Sequence, residues 1–263
     1  MSLMESQSVQ IVAEGPVSEL VINRPEALNA LNLDVLSGLL LAFERLTANR
    51  EVRALIIMGT GEKAFVAGAD IGTMSQLGPR AIADYLQLGQ RVMRVVECAR
   101  FPVIAAVNGY ALGGGMELAL AADIILASHS AKFGQPEVNL GIIPGFGGTQ
   151  RLIQRCGLGA ARRLILTGDI IAAPEALQIG LADRVSAEGQ LIPDAQAMGA
   201  MIASRGPLAV SCAKAVLRRS QETTLLSGLA HEVEAFLDLF ATADREEGMK
   251  AFLQKRAPQF TGR

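Results

Sequence analysis

Tryptophan is absent from the 263 residues, and there are only two tyrosines, two histidines and three cysteines. Neither HExxH nor GxSxG occurs, so nothing supports a zinc hydrolase or a histidine-based triad. His129 and His231 stand alone in sequence and read as surface residues, and no metal site is expected. Cys98, Cys156 and Cys212 are odd in number, widely spaced and free of any CxxC pair, which excludes a disulfide framework and points to a reducing, cytoplasmic location. Charge of one sign is also lacking. Lys and Arg number 24 against 26 Asp and Glu, a formal charge of −2, so no bulk positive field exists to hold nucleic acid or an anionic membrane. Met1-Ser2-Leu3-Met4 shows no basic stretch leading into an apolar run, as a signal peptide would. The most apolar stretch, Phe101 to Ser128, contains Asn108, Glu117, Asp123 and three consecutive glycines. A membrane span there would bury two carboxylates at high cost, so the stretch is expected inside a folded domain.

Half of the residues are hydrophobic and only 19 % are charged, ample material for one large domain. Val9–Glu14 and Val17–Asn23, parted by Gly15-Pro16, read as a β-hairpin. Leu36, Leu39, Leu40, Phe43 and Leu46 recur at helical spacing from Leu33 to Asn49, and a second helix is expected over Pro79–Ala99. Val52–Gly59, Val103–Val107 and Ile124–Ala127 are short apolar runs of the kind that form buried strands. Gly59–Gly72 and Pro136–Gly148 read as loops, with a helix at Gly113–Ala121 between them. Beyond Thr149 the pattern is helical: Gln150–Cys156, Gly159–Leu166, Pro174–Ile179, Ile192–Ser204, Pro207–Ser220, Leu225–Ala241 and Glu246–Lys255. Residues 1–200 are expected to form the core and 201–263 a helical C-terminal region used in oligomerisation.

Four segments carry candidate chemistry. Asn23 to Leu31 links a strand to a helix that starts near Asn32 and is polar enough to face a ligand or simply to turn. Ala64 to Ile71 is built from small residues, which lets its backbone approach a ligand. Gly113-Gly114-Gly115 precedes a helix whose exposed N–H groups favour developing negative charge. GxGxxG and the P-loop Gly-Lys-Ser/Thr are both missing, so this is not a nucleotide motif. Glu117 sits among apolar neighbours just after the three glycines. The fourth segment is Phe133 to Glu137 followed by the glycine-rich Gly141 to Arg151, with Glu137 between Pro136 and Val138. Either one alone reads more readily as a structural hydrogen-bond partner than as a catalyst. Two carboxylates beside a candidate oxyanion site suit a different task. They can hold a water and exchange protons with it, while amides stabilise an enolate oxygen. That combination suits hydration of a double bond conjugated to a carbonyl.

NRPEALNAL at 23–31, AFVAGADI at 64–71, NGYALGGGMELAL at 108–120, FGQPEVNLGIIPGFGGTQRL at 133–152 and EGMKAFLQKR at 247–256 occur in that order. In these motifs the chain resembles the enoyl-CoA hydratase (crotonase) family. The resemblance implies an α/β fold, a spiral of ββα units with a helical C-terminal region, assembled as a homotrimer or homohexamer. It implies Ala69 and Gly114 as oxyanion N–H donors, Glu117 as water-activating base and Glu137 as proton donor to the α-carbon. It implies substrate contacts at Ala67, Asp70, Ile71, Gly72 and Gly145, and CoA contacts at Phe252 and Lys255, often across a subunit boundary. No separate cofactor is implied, since CoA is part of the acyl-CoA thioester substrate. The activity implied is reversible hydration of trans-2-enoyl-CoA to 3-hydroxyacyl-CoA, a step of fatty-acid β-oxidation. Other reactions of the shared acyl-CoA enolate (isomerisation, decarboxylation, thioester hydrolysis) are the alternative. RNA binding has little support, because the helix from Leu33 to Arg50 carries Arg45 and Arg50 but no lysine. One departure concerns Glu26, where many relatives carry a phosphate-binding lysine; Arg24 and Lys63 are the nearby cations.

Overall fold

A computed structural model describes residues 7–263, so Met1-Ser2-Leu3-Met4 lies outside the described residues. The expected hairpin is present: β1 (Val9–Ala13) pairs antiparallel with β2 (Val17–Ile22). A 3-10 turn at Pro25–Ala27 leads to α1 (Leu33–Ala48). Asn32 starts that helix by accepting the Val35 N–H on its side chain, an N-cap worth about 1 kcal/mol. Three strand–strand–helix units follow. The first is β3 (Ala54–Gly59), β4 (Ala64–Val66), a single turn α2 (Ile71–Met74) and α3 (Pro79–Cys98). The second is β5 (Val103–Val107), β6 (Tyr110–Leu112) and α4 (Gly114–Ala121). The third is β7 (Ile124–Ser128), β8 (Lys132–Gly134), a 3-10 turn at Pro136–Leu140 and α5 (Gly148–Thr167). Then come β9 (Ile170–Ala172), α6 (Ala173–Gln178), β10 (Arg184–Ser186), α7 (Leu191–Ala203), α8 (Pro207–Ser220), α9 (Leu225–Phe240) and α10 (Ala243–Leu253).

Each unit contributes its first strand to one sheet and its second to another. The larger sheet runs β1-β2-β3-β5-β7-β10, parallel from β2 onward; the smaller runs β4-β6-β8-β9, parallel until β9. This is the expected ββα spiral. β3, β5 and β7 are covered on both faces, which is why they read as continuous apolar runs. The 59–72 stretch is not a continuous loop, because β4 lies within it, and β6, β8, β9 and β10 were not expected either. Each is only three residues long, too short to display an alternating pattern. The two helices expected over 150–166 form α5, joined at Gly157, whose φ of 77° breaks the helical path.

The main core packs α1 and α3 on the sheets through Leu36, Leu39, Phe43, Tyr85, Val92 and Met93. A smaller core forms where α7 covers the other face of β3, β5 and β7. Among the described residues no single helix is long and apolar enough to cross a membrane. Phe101 to Ser128, the apolar stretch, instead forms β5, β6, α4 and β7. Its Asp123 is partnered: Oδ2 accepts from the Val103 N–H and from Lys214 Nζ, both at 2.7 Å. Lys214 donates also to the Phe101 carbonyl at 3.0 Å and ties α8 to the core. Lys214→Met should leave that carboxylate without its cation and lower unfolding stability by about 3 kcal/mol. Urea unfolding of the variant measures this, and an unchanged midpoint would refute it.

Candidate active site

The Asn23–Leu31 segment acts mainly as a brace. Asn29, fully buried, accepts the Arg24 N–H and donates to the carbonyls of Thr60 and Ala64. Leu31 lies along the 67–70 loop: its N–H reaches the Gly68 carbonyl, and its own carbonyl accepts the Asp70 N–H. The buried Tyr85 hydroxyl donates to that same Leu31 carbonyl, and burial pushes its pKa up to about 12, so it stays a donor. Ala69 is held between bonded neighbours, yet its own N–H has no acceptor among the described residues.

Gly114 opens α4, where the first N–H groups lack intrahelical partners. A methyl group placed on Gly114 would sit 3.3 Å from the Ala69 nitrogen. The two backbones that carry the candidate donors therefore approach each other closely, at the positive end of a helix. They do so because Gly115 permits contact between α4 and β4: a methyl there would lie 1.9 Å from the Val66 carbonyl oxygen.

Glu117 follows one turn along α4, on a side chain that is almost wholly buried. Its Oε1 accepts N–H bonds from Phe146 at 2.8 Å and Gly148 at 2.7 Å. Burial pushes its pKa above the ordinary carboxylate range, opposed by those two N–H groups and by the Arg151 charge. Glu137 enters from the 3-10 turn after β8. Burial, reinforced by repulsion from Glu117, pushes it up to about 7. Buried Gln135 faces it, and with its amide nitrogen turned toward the carboxylate donates to Oε1 at 2.9 Å and Oε2 at 3.1 Å, which opposes the effect of burial.

Both glutamates line one pocket of about 840 Å³ together with Ala67, Ala69, Ile71, Gly114 and Gly145. Its far wall is apolar, built from Met74, Ile82, Leu86, Leu140, Ile142 and Ile143. Gly145 is seated by Gln90, which donates to its carbonyl at 3.0 Å.

Asp70 and Gly72 flank the pocket-lining Ile71 and do not themselves line the pocket. Asp70 caps α2 by accepting the Thr73 N–H and pairs with Arg24 at 3.1 Å; Gly72 lies within α2. Phe252 and Lys255 also lie outside this pocket. Phe252 is 82 % exposed and Lys255 is exposed just past the end of α10. Arg24 is committed to Asp70 and the Ala30 carbonyl, whereas Lys63 is exposed beside Pro25 and Leu28. The sequence reading assigned no role to Tyr85, Gln135 or Arg151. Gln135 and Arg151 lie inside the motif at 133–152, but only their spatial partners reveal what they hold. No cluster of metal ligands occurs among the described residues.

The family model for enoyl-CoA hydratase/isomerase matches residues 13–263. A crotonyl-CoA hydratase of Syntrophomonas wolfei is 45 % identical, covering 98 % of this chain and 99 % of the relative. A short-chain-enoyl-CoA hydratase of Clostridium acetobutylicum is 46 % identical over 96 % of this chain and 97 % of its own. The crystal structure of an enoyl-CoA hydratase from Bacillus anthracis superposes with a TM-score of 0.95 at 38 % identity, covering 98 % of this chain and all of that one. Fold, ordered motifs and full-length similarity agree: the chain belongs to the enoyl-CoA hydratase/isomerase (crotonase) family.

Proposed function

We propose that this protein is an enzyme that hydrates trans-2-enoyl-CoA to 3-hydroxyacyl-CoA, reversibly. The observation that carries this reading is the convergence of Glu117 and Glu137 on one pocket beside the unpaired N–H groups of Ala69 and Gly114. In the mechanism the thioester oxygen sits between the two N–H groups. Negative charge grows on it as water adds to the β-carbon, and each such donor contributes about 2.7–4 kcal/mol. Glu117, with two N–H donors on Oε1 and a nearby cation, suits the ionised base that takes a proton from water. Glu137 has no cation beside it and is pushed toward the protonated form, so it suits delivery of a proton to the α-carbon. The proton taken and the proton given balance the addition of one water. No separate cofactor enters these steps.

The names of the two relatives favour short acyl chains. The exposed Phe252 and Lys255 suit a homotrimer or homohexamer in which a neighbour's C-terminal helix completes the CoA site. Free Cys98, Cys156 and Cys212 fit a reducing, cytoplasmic setting. Loss of the conjugated-thioester absorbance with crotonyl-CoA tests the activity, and a series to decenoyl-CoA maps the chain length. No turnover at any length would reject the reading. A product of unchanged mass would replace it with isomerisation.

The pH dependence has a definite sign. The proton donor must be protonated and the base ionised, so kcat/KM should be bell-shaped. Its alkaline limb should fall through about 7 as Glu137 loses its proton. A rate that keeps rising to pH 9 would contradict the assignment of Glu137 as the acid.

A further inference from the structure

Glu117 is oriented by N–H groups that belong to a loop, and that loop is itself gripped from behind. Phe146 is bound on both sides. Its N–H goes to Glu117 Oε1 at 2.8 Å, and its carbonyl accepts from Arg151 Nη1 at 3.0 Å. The other end of the Arg151 guanidinium lies on Glu97 of α3, with Nη2 to Oε2 at 3.2 Å and Nε to Oε1 at 3.4 Å. The Arg151 N–H also closes on the Gly147 carbonyl at 3.0 Å. Gly147 takes φ of 108°, and a methyl there would come 2.2 Å from Arg151 Nη1. One residue thus brackets the loop through side chain and main chain together. Arg151 and Glu97 do not line the substrate pocket. Both line a separate cavity of about 750 Å³.

We propose that Arg151, anchored by Glu97, is a positioning residue that sets the Glu117 carboxylate for water activation by holding the Phe146–Gly148 loop. The proposal rests on the hydratase reading and adds to it a residue that never touches the substrate. Two effects follow from the geometry. The clamp sets the direction of the carboxylate, and misplacement by about 1 Å can cost 10²-fold. It also places a cation near a buried anion, which favours the ionised base. The charged and titratable groups around Glu117 are few. Glu137 faces it from the 3-10 turn, Tyr85 and Glu97 come from α3, and Arg151 comes from α5. β4 carries no titratable side chain, and Tyr110 of β6 is stacked against Lys132.

The test compares R151M, R151K and E97Q with the parent enzyme on crotonyl-CoA across pH. R151M should lower kcat by about 10- to 100-fold with KM within about twofold. Its acidic limb in kcat/KM should move to higher pH, because the cation favouring the carboxylate is gone. R151K should leave that limb in place and recover part of kcat. E97Q should lower kcat without raising the limb, since the Arg151 charge remains. In an E117Q background R151M should cost less than about threefold more, as expected of residues acting through one group. Parent-like kcat and pH profile in R151M, with only a fall in thermal stability, would overturn the proposal. If R151M does not fold, full activity in both R151K and E97Q would overturn it instead. A parent enzyme inactive on every enoyl-CoA would reject the hydratase reading itself, a distinct result.

Discussion

Glu117→Gln should slow crotonyl-CoA turnover by about 10²–10⁴-fold while the protein stays folded. The reason is that glutamine preserves shape but not basicity. Its carbonyl oxygen can still accept the Phe146 and Gly148 N–H groups, so the loop keeps its partners. It cannot take a proton from water. Glu137→Gln should be slowed by a similar factor, about 10²–10⁴-fold, for the complementary reason that an amide does not deliver a proton to carbon. The two variants should differ in their pH profiles. Losing Glu137 removes the alkaline limb near 7, whereas losing Glu117 removes the acidic one. Steady-state kinetics with crotonyl-CoA over pH 5 to 9, on variants shown to be folded by circular dichroism, measures both effects. Near-parental rates in either variant would take that residue out of the mechanism.

Gly115→Ala should damage both the fold and the rate, though residue 115 contributes no chemistry of its own. The added methyl would press on the Val66 backbone, 1.9 Å from its carbonyl oxygen and 2.7 Å from its carbonyl carbon. Backbone cannot rotate aside as a side chain does, so α4 must retreat from β4. Overpacking of this kind costs about 1–3 kcal/mol and sometimes more. Retreat also pulls the Gly114 N–H away from Ala69, whose loop follows β4 directly. Misaiming one donor should lower kcat by about 10²–10³-fold. Gly159→Ala, on α5 with open space around it, is the control. It should be neutral or stabilise by about 0.5–1 kcal/mol. Equal behaviour of the two alanine variants, in urea unfolding and in rate, would refute this account of the close approach.

What could be read without coordinates follows a physical division. α1 and α3 announced themselves through apolar residues at helical spacing, and β3, β5 and β7 through runs buried on both faces. The second strand of each unit stayed hidden. β4, β6 and β8 are made by pairing with one another across long sequence gaps, and three residues hold no period of their own. Glu117 was legible because a carboxylate among apolar neighbours needs partners. Its partners were not legible, since the N–H groups of Phe146 and Gly148 reach it only after α5 has packed on α4. Asp70 shows the converse. It stands inside the 64–71 motif, yet its carboxylate is occupied by the Thr73 N–H and by Arg24 and so holds the loop. Phe252 and Lys255, at the exposed end of α10, lie outside the pocket, and nothing in one chain brings them to it.

The addition of water across a double bond is the claim from which the roles of the glutamates and the oxyanion pair descend. Incubation with crotonyl-CoA in water enriched in heavy oxygen, followed by mass spectrometry of the thioester product, tests it most directly. The account predicts one heavy oxygen at the β-carbon of a 3-hydroxybutyryl-CoA. Label recovered in a free carboxylate, or a thioester of unchanged mass, would contradict it.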